Sequence, residues 1–131
     1  MFEGVLTGNC NEIWLHTSEE ESLVCCLSSL NLATYNDWKD TDTIELLTYF
    51  LDAVITDFVN KTEGMSGMER ARKFALKSRA IGIGVLGWSS YLQQEMIAFE
   101  SPMATALTNK IFKQIKDQSY NASEKLAKEY G

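Results

Sequence analysis

The spacing of apolar residues changes at Asp42, and that change limits what the chain can fold into. Before it, apolar residues come in two short runs, Ile13-Trp14-Leu15 and Leu23 to Leu32, separated by the polar stretch Thr17-Ser18-Glu19-Glu20-Glu21-Ser22. Runs of this length around a polar turn are predicted to be extended and to pair as a hairpin, although Leu23 to Leu32 also fits a buried helix. After it, Ile44, Leu47, Leu51, Val54 and Phe58 recur at steps of three and four, the spacing of one helical face. Asp42 followed by Glu45 resembles a capping pair, and negative charge suits a helix N-terminus, so a helix is predicted over 42–61.

Gly64 and Gly67 then break the pattern, and Met68 to Ser78 is predicted to be a basic helix anchored by Phe74 and Leu76. Ala80 to Gly87 is apolar but punctuated by glycine, a poor helix interior. Helical spacing resumes from Trp88 to Phe99 through Trp88, Tyr91, Leu92 and Met96. Ser101-Pro102 places a hydroxyl cap before proline at a first helical position. The last helix is predicted to carry Met103, Leu107, Ile111, Ile115, Ala122 and Leu126 inward and to stop at Gly131. The fold class expected of the isolated chain is α+β, mostly helical with a short N-terminal β region. It is read as a single domain, 1–131, with an extended or hairpin region over 1–34 and a helical region over 42–131.

At 131 residues, 45% of them hydrophobic, the chain suits one small domain. A net charge of −6 argues against partners recognised by phosphate neutralisation, so neither nucleic acid nor an anionic membrane is expected. No apolar run approaches the roughly 20 residues that span a bilayer. Met1-Phe2-Glu3-Gly4 lacks the basic and apolar regions of a signal peptide, and the expected location is cytoplasmic. Three cysteines are an odd number for a disulfide framework, and with His16 they lack the spacing of a structural zinc site. No metal ligand set is expected, and His16 reads as a surface or hairpin residue.

Three further patterns bear on chemistry. Gly82-Ile83-Gly84-Val85-Leu86-Gly87 matches G-x-G-x-x-G, but a charged, helical stretch precedes it and no second βαβ unit follows, so close backbone packing is the better reading. Arg70, Arg72, Lys73, Lys77 and Arg79 form a basic cluster that suits a phosphate or an acidic partner, but more commonly such a run is a solvated helix face. Cys10 and Glu12 share a side if residues 10–14 are extended, which sets a thiol beside a carboxylate. By spacing alone, C-x-E is a very weak signal.

Several segments together resemble one family, in the right order. Cys10-Asn11-Glu12-Ile13 resembles the Asn-Leu-Cys-x-Glu-Ile segment of class I ribonucleotide reductase large subunits. Val24-Cys25-Cys26-Leu27-Ser28-Ser29-Leu30-Asn31-Leu32 is similar to the family's Val-Cys-Asn-Leu-Ala-Ser-Leu-Asn-Leu strand. Arg79 to Trp88, running on to Tyr91-Leu92, is similar to its Arg-x-Ile-Gly-Ile-Gly-Val segment and following helix, and 122–131 resembles the end of a later helix. The resemblance implies part of the family's ten-stranded α/β barrel.

It also implies roles, residue by residue. Cys10 falls on the thiyl radical that takes hydrogen from the ribose 3′ carbon. Glu12 falls on the carboxylate that removes the 3′-hydroxyl proton. Cys25 falls on one of two thiols that reduce the substrate and close into a disulfide. Cys26 has no such counterpart and reads as a buried small residue. The family's asparagine stands two residues before the radical cysteine; that position is Gly8 here, and Asn9 is the substrate-binding candidate left. The family's radical is generated in a separate metal-containing small subunit, so no cofactor is expected on this chain. Expected partners are the remaining large-subunit fragment or fragments, the small subunit, and a nucleoside diphosphate substrate in the completed enzyme. Either a naturally split enzyme of phage-like type or an excerpt of a longer open frame fits this reading, and the fragment alone is expected to be inactive. Open strand edges also predict self-association. The alternatives are a non-catalytic helical binding or structural module derived from the family, and a plain helical domain whose cysteines are core.

Overall fold

In the computed structural model, residues 5–7 and 14–130 are described. Their elements run β1 (Val5–Thr7), β2 (Trp14–His16), β3 (Cys26–Asn31), a 3-10 turn (Leu32–Thr34), α1 (Tyr35–Trp38), α2 (Thr43–Lys61), α3 (Glu69–Ser78), β4 (Ile81–Leu86), α4 (Trp88–Gln94) and α5 (Pro102–Tyr130). The expected balance holds: most described residues are helical, with short strands near the N-terminus. The chain divides into two compact units, Met1–Cys26 with Asp52–Gly82, and Leu27–Leu51 with Ile83–Gly131.

Strand partners differ from the predicted hairpin. β2 pairs antiparallel with β1, Leu15 opposite Leu6, rather than with the 23–32 segment. β3 instead neighbours β4, the glycine-punctuated stretch. A Cβ on Gly84 would lie 3.3 Å from Ser29 Oγ, and one on Gly87 only 2.6 Å from Asn31 Oδ1. Those contacts advance together along both strands, so β3 and β4 run parallel. A parallel partner needs a long crossover, which local spacing cannot reveal.

Within the second unit, Leu30, Leu32, Tyr35, Trp38, Ile44, Tyr91, Ile111 and Ile115 form one buried cluster. Tyr35 meets Trp38 edge-on at 5.0 Å and Tyr91 at 5.5 Å, the geometry aromatic quadrupoles favour. Their polar ends are answered: Tyr35 donates to Gln114 Oε1 at 2.7 Å and Trp38 Nε1 to the Asn31 carbonyl at 2.9 Å. The first unit has its own smaller cluster, Ile55, Val59 and Ala75, with Cys26, Phe58 and Ile81 against it.

The starts of α2, α3, α4 and α5 were legible to within a residue, and Ile111, Ile115 and Ala122 are buried on α5 as expected, but other buried positions are shifted round their helices. On α2 the buried line is Ile44, Thr48, Leu51, Ile55 and Val59, and Val54 is exposed. Thr48 is tolerated inside because its hydroxyl donates to the Ile44 carbonyl at 2.8 Å. On α3 the buried residues are Phe74 and Ala75, with Leu76 outside. On α5 Ala104 takes the inward place expected of Met103, one residue away and so about 100° round the helix. Ser101 caps that helix, its Oγ accepting from Ala104 N at 3.2 Å.

α4 stops earlier than its apolar spacing suggests. Ile97 N bonds the Leu92 carbonyl at 2.8 Å and Met96 N the Gln93 carbonyl at 3.1 Å, the paired bonds of a Schellman cap. The left-handed position of that cap is Met96, at φ 55°, a residue 91% exposed. Glycine ordinarily occupies this place, because a left-handed conformation costs an L-residue roughly 1–2 kcal/mol. Met96→Gly is therefore expected to stabilise the chain by about 0.5–1 kcal/mol, part of the relief being offset by glycine's unfolded-state entropy. The urea midpoint checks this; an unchanged or lower midpoint contradicts it.

Candidate functional site

Cys25 lies immediately before β3, and the strand's first residue, Cys26, is the one packed against the Ile55, Val59 and Ala75 cluster. Cys26 N donates to the Ala80 carbonyl at 3.1 Å, tying the strand start to the residue between α3 and β4. Cys25 is half-buried, and its Sγ lies 3.7 Å from the Cys26 carbonyl as a weak donor. Burial pushes the Cys25 thiol above its ordinary range, and neighbouring Cys26 adds to the shift. A thiol held protonated is a poor nucleophile at neutral pH. It remains competent to give up hydrogen and electrons when a second thiol joins it in a disulfide.

α3 carries the basic cluster, and its charges are used within the first unit. Arg70 donates to the Ser18 carbonyl, and Lys73 Nζ lies 2.6 Å from Glu20 Oε2. Lys77 Nζ lies 3.2 Å from Glu21 Oε1. Arg72 Nε bonds the Val59 carbonyl at 3.0 Å, and Arg79 Nε meets Asp52 Oδ1 at 2.8 Å. The run is neither a bare solvated face nor a ready phosphate site, because each of its five cations has an internal partner.

Glu21 is the functional-looking residue that spacing alone missed. Its side chain is 8% exposed, while Lys77 opposite is 67% exposed. The turn around it is self-bonded: Ser18 Oγ accepts from Glu21 N at 3.1 Å, and Thr17 Oγ1 donates to the Glu21 carbonyl at 2.9 Å. The available signal was an acidic triplet, 19–21, complementary to the basic run on α3.

The glycine motif does not form a nucleotide cradle. Gly82 and Gly84 lie inside β4, and only Gly87 stands at the mouth of α4. There, Asn31 Oδ1 and Ala33 N fill the space that a Cβ would need. Among the described residues, no group of three or more His, Cys, Asp or Glu is arranged to hold a metal ion, and no helix is long and apolar enough to cross a membrane.

Comparison with known proteins decides the family. The model of the ribonucleotide reductase barrel domain matches residues 5–131. The chain belongs to that family. It is 45% identical over 119 residues to the ribonucleoside-diphosphate reductase large subunit of Invertebrate iridescent virus 6, covering 90% of this chain and 12% of that protein. A frog virus 3 (isolate Goorha) protein named for the same large subunit is 44% identical over 123 residues, which is 93% of this chain and 22% of the relative. The class Id ribonucleotide reductase alpha subunit of Actinobacillus ureae has the same fold at TM-score 0.91 and 49% identity, over 95% of this chain and 24% of that one. The chain thus spans under a quarter of the length of each of these relatives.

Of the site residues expected from the sequence, Cys25 lies just before β3. Cys10, Glu12 and Asn9 lie outside the described residues, as does Gly8. His16 is exposed in β2, as expected. The raised thiol of Cys25 sets a measurable expectation. Its alkylation by iodoacetamide should require more alkaline solution than a free cysteine, the rate rising only as the protonated form is lost. A pH–rate profile with a midpoint at or below the free-thiol value contradicts the burial argument.

Proposed function

We propose that this chain supplies part of the catalytic barrel of a ribonucleotide reductase large subunit and works only when the rest of that subunit and a radical-generating small subunit complete it. The observation that carries the reading is the family match over residues 5–131, together with the alpha-subunit fold at 49% identity. In this reading Cys10, as a thiyl radical, breaks the ribose 3′ C–H bond and forms its own S–H bond. Glu12 takes the 3′-hydroxyl proton, and the 2′-hydroxyl departs as water. Cys25 and a second thiol from outside the chain supply two electrons and two protons and close into a disulfide. Cys10 then returns its hydrogen to the 3′ carbon. The balance is one nucleotide and two thiols to one deoxynucleotide, one water and one disulfide.

The half-buried, protonated state of Cys25 supports its part in this reading, because reduction needs a thiol that arrives carrying its hydrogen. Cys26, half-buried as well, packs against the Ile55, Val59 and Ala75 cluster instead, which fits its lack of a counterpart in the family pattern. Asn9 is the residue proposed to meet the substrate, in place of the asparagine the family carries where Gly8 stands. That same departure favours the rival reading, a non-catalytic module derived from the family.

The test mixes this chain with the complementary part of a large subunit and a small subunit, and follows conversion of cytidine diphosphate. Turnover is expected with the wild-type chain and a loss of at least about a thousandfold with Cys10→Ser or Cys25→Ser, the scale of removing a reacting group. Turnover that survives Cys10→Ser removes the radical assignment, and a mixture with no turnover that binds no complementary subunit favours the module.

A further inference from the structure

The stretch that delivers Cys25 is anchored near the start of α3 and again just past its end. Ser22 N donates to the Arg70 carbonyl at 3.2 Å, and Cys26 N donates to the Ala80 carbonyl at 3.1 Å. From Arg70 to Ser78 α3 advances about 12 Å at about 1.5 Å per helical residue, and Arg79 and Ala80 carry the chain past its end. From Ser22 to Cys26 there are four residue steps, which reach about 13–14 Å at full extension. The anchors are thus separated by about the length of α3, which four residue steps reach only when nearly extended, so the segment carrying Cys25 has little slack. It lies along α3 as a strap.

The upstream end of the strap is held hardest. Arg70 bonds the Ser18 carbonyl, Lys73 pairs with Glu20, and Lys77 pairs with the buried Glu21 carboxylate. Ser18 N also bonds the Glu21 carbonyl at 2.9 Å, which closes the turn on itself. Of these contacts, only the Glu21 carboxylate is taken out of water, and a buried charge deprived of its partner is strongly unfavourable. The exposed Lys73–Glu20 pair contributes little beside it. The downstream end is fixed where α3 terminates: Arg79 takes a left-handed conformation at φ 42°, held by its bonds to Asp52 and Thr56.

We propose that α3 is a strut that sets the position of the Cys25 thiol, with Lys77 and Glu21 as positioning residues that keep the strap taut. This rests on Cys25 being the redox thiol of the reading above, and it adds what holds that thiol in place. Loss of the Lys77–Glu21 pair releases the turn, feeds slack into the 22–26 strap and frees the thiol to reach solvent.

The test measures alkylation of Cys25 in the full 131-residue chain, with fragment-ion mass spectrometry separating it from Cys26. Lys77→Met keeps the side-chain stem and removes the charge. It is expected to raise the Cys25 rate about tenfold and to move the pH–rate midpoint down toward a free thiol, while Lys77→Arg restores both. A glycine inserted between Leu23 and Val24 adds about 3.3 Å of chain and is expected to act in the same way with no change of charge. Arg72→Met serves as control, since Arg72 bonds Val59 and Glu63 rather than the strap. Unchanged Cys25 reactivity in both Lys77→Met and the insertion overturns the proposal. An equal rise in Arg72→Met also overturns it, because the effect is then general loosening. Should Lys77→Met fail to fold, the insertion decides alone. The redox role of Cys25 is tested separately by Cys25→Ser turnover, so a taut strap bearing a dispensable thiol sinks the role and leaves the strut standing.

Discussion

The end of α3 rests on one side chain. Arg79 leaves the helix in a left-handed conformation, unfavourable for any residue with a Cβ, and its guanidinium bonds Asp52 Oδ1, the Asp52 carbonyl and Thr56 Oγ1. Three bonds to α2 offset the backbone cost and fix the direction in which the chain departs. Ala80, the next residue, offers its carbonyl to Cys26, and β4 begins at Ile81. The start of β3, the start of β4 and the placement of Cys25 thus follow from how one helix is terminated. A glycine there would adopt the turn more easily but would hold nothing.

Helices were legible because their signals are local. The helix predicted over 42–61 is α2, Thr43–Lys61, and Ser101-Pro102 marks the start of α5. The spacing did not define which flank of a wide apolar arc faces inward. On α2, Leu46, Phe50 and Val54 are exposed although apolar, so the apolar arc of the helix is wider than the face that is buried. Met96 deceived for a related reason: it continues the apolar rhythm of α4, but the backbone has already turned left-handed beneath it.

Strand partners were not legible, since they depend on residues far apart in the chain. Trp14 to His16 pairs with Val5 to Thr7, and Cys26 to Asn31 with the glycine-punctuated 81–86 stretch, whose glycines weaken any strand signal; Gly84, and Gly87 just past the strand, let Ser29 and Asn31 approach closely. The candidate site residues rest on a different kind of signal. Cys25 was marked by the ordered segments around it, and the structure adds the burial that pushes its thiol up. The use of the basic run was hidden, because its partners Ser18, Glu20 and Glu21 lie some fifty residues upstream.

The parallel pairing of β3 with β4 has a kinetic side. The two strands are joined through α1, α2 and α3, so their contact closes a loop of about fifty residues, whose entropy is lost before the pairing gives anything back. α2, α3 and α5 need only neighbours three and four residues away and form on a far shorter timescale. On this ordering α3 exists before Cys26 finds Ala80, and the thiol segment is among the last parts of the chain to settle. Synthesis imposes the same sequence, since Cys25 leaves the ribosome well before the helix that will hold it.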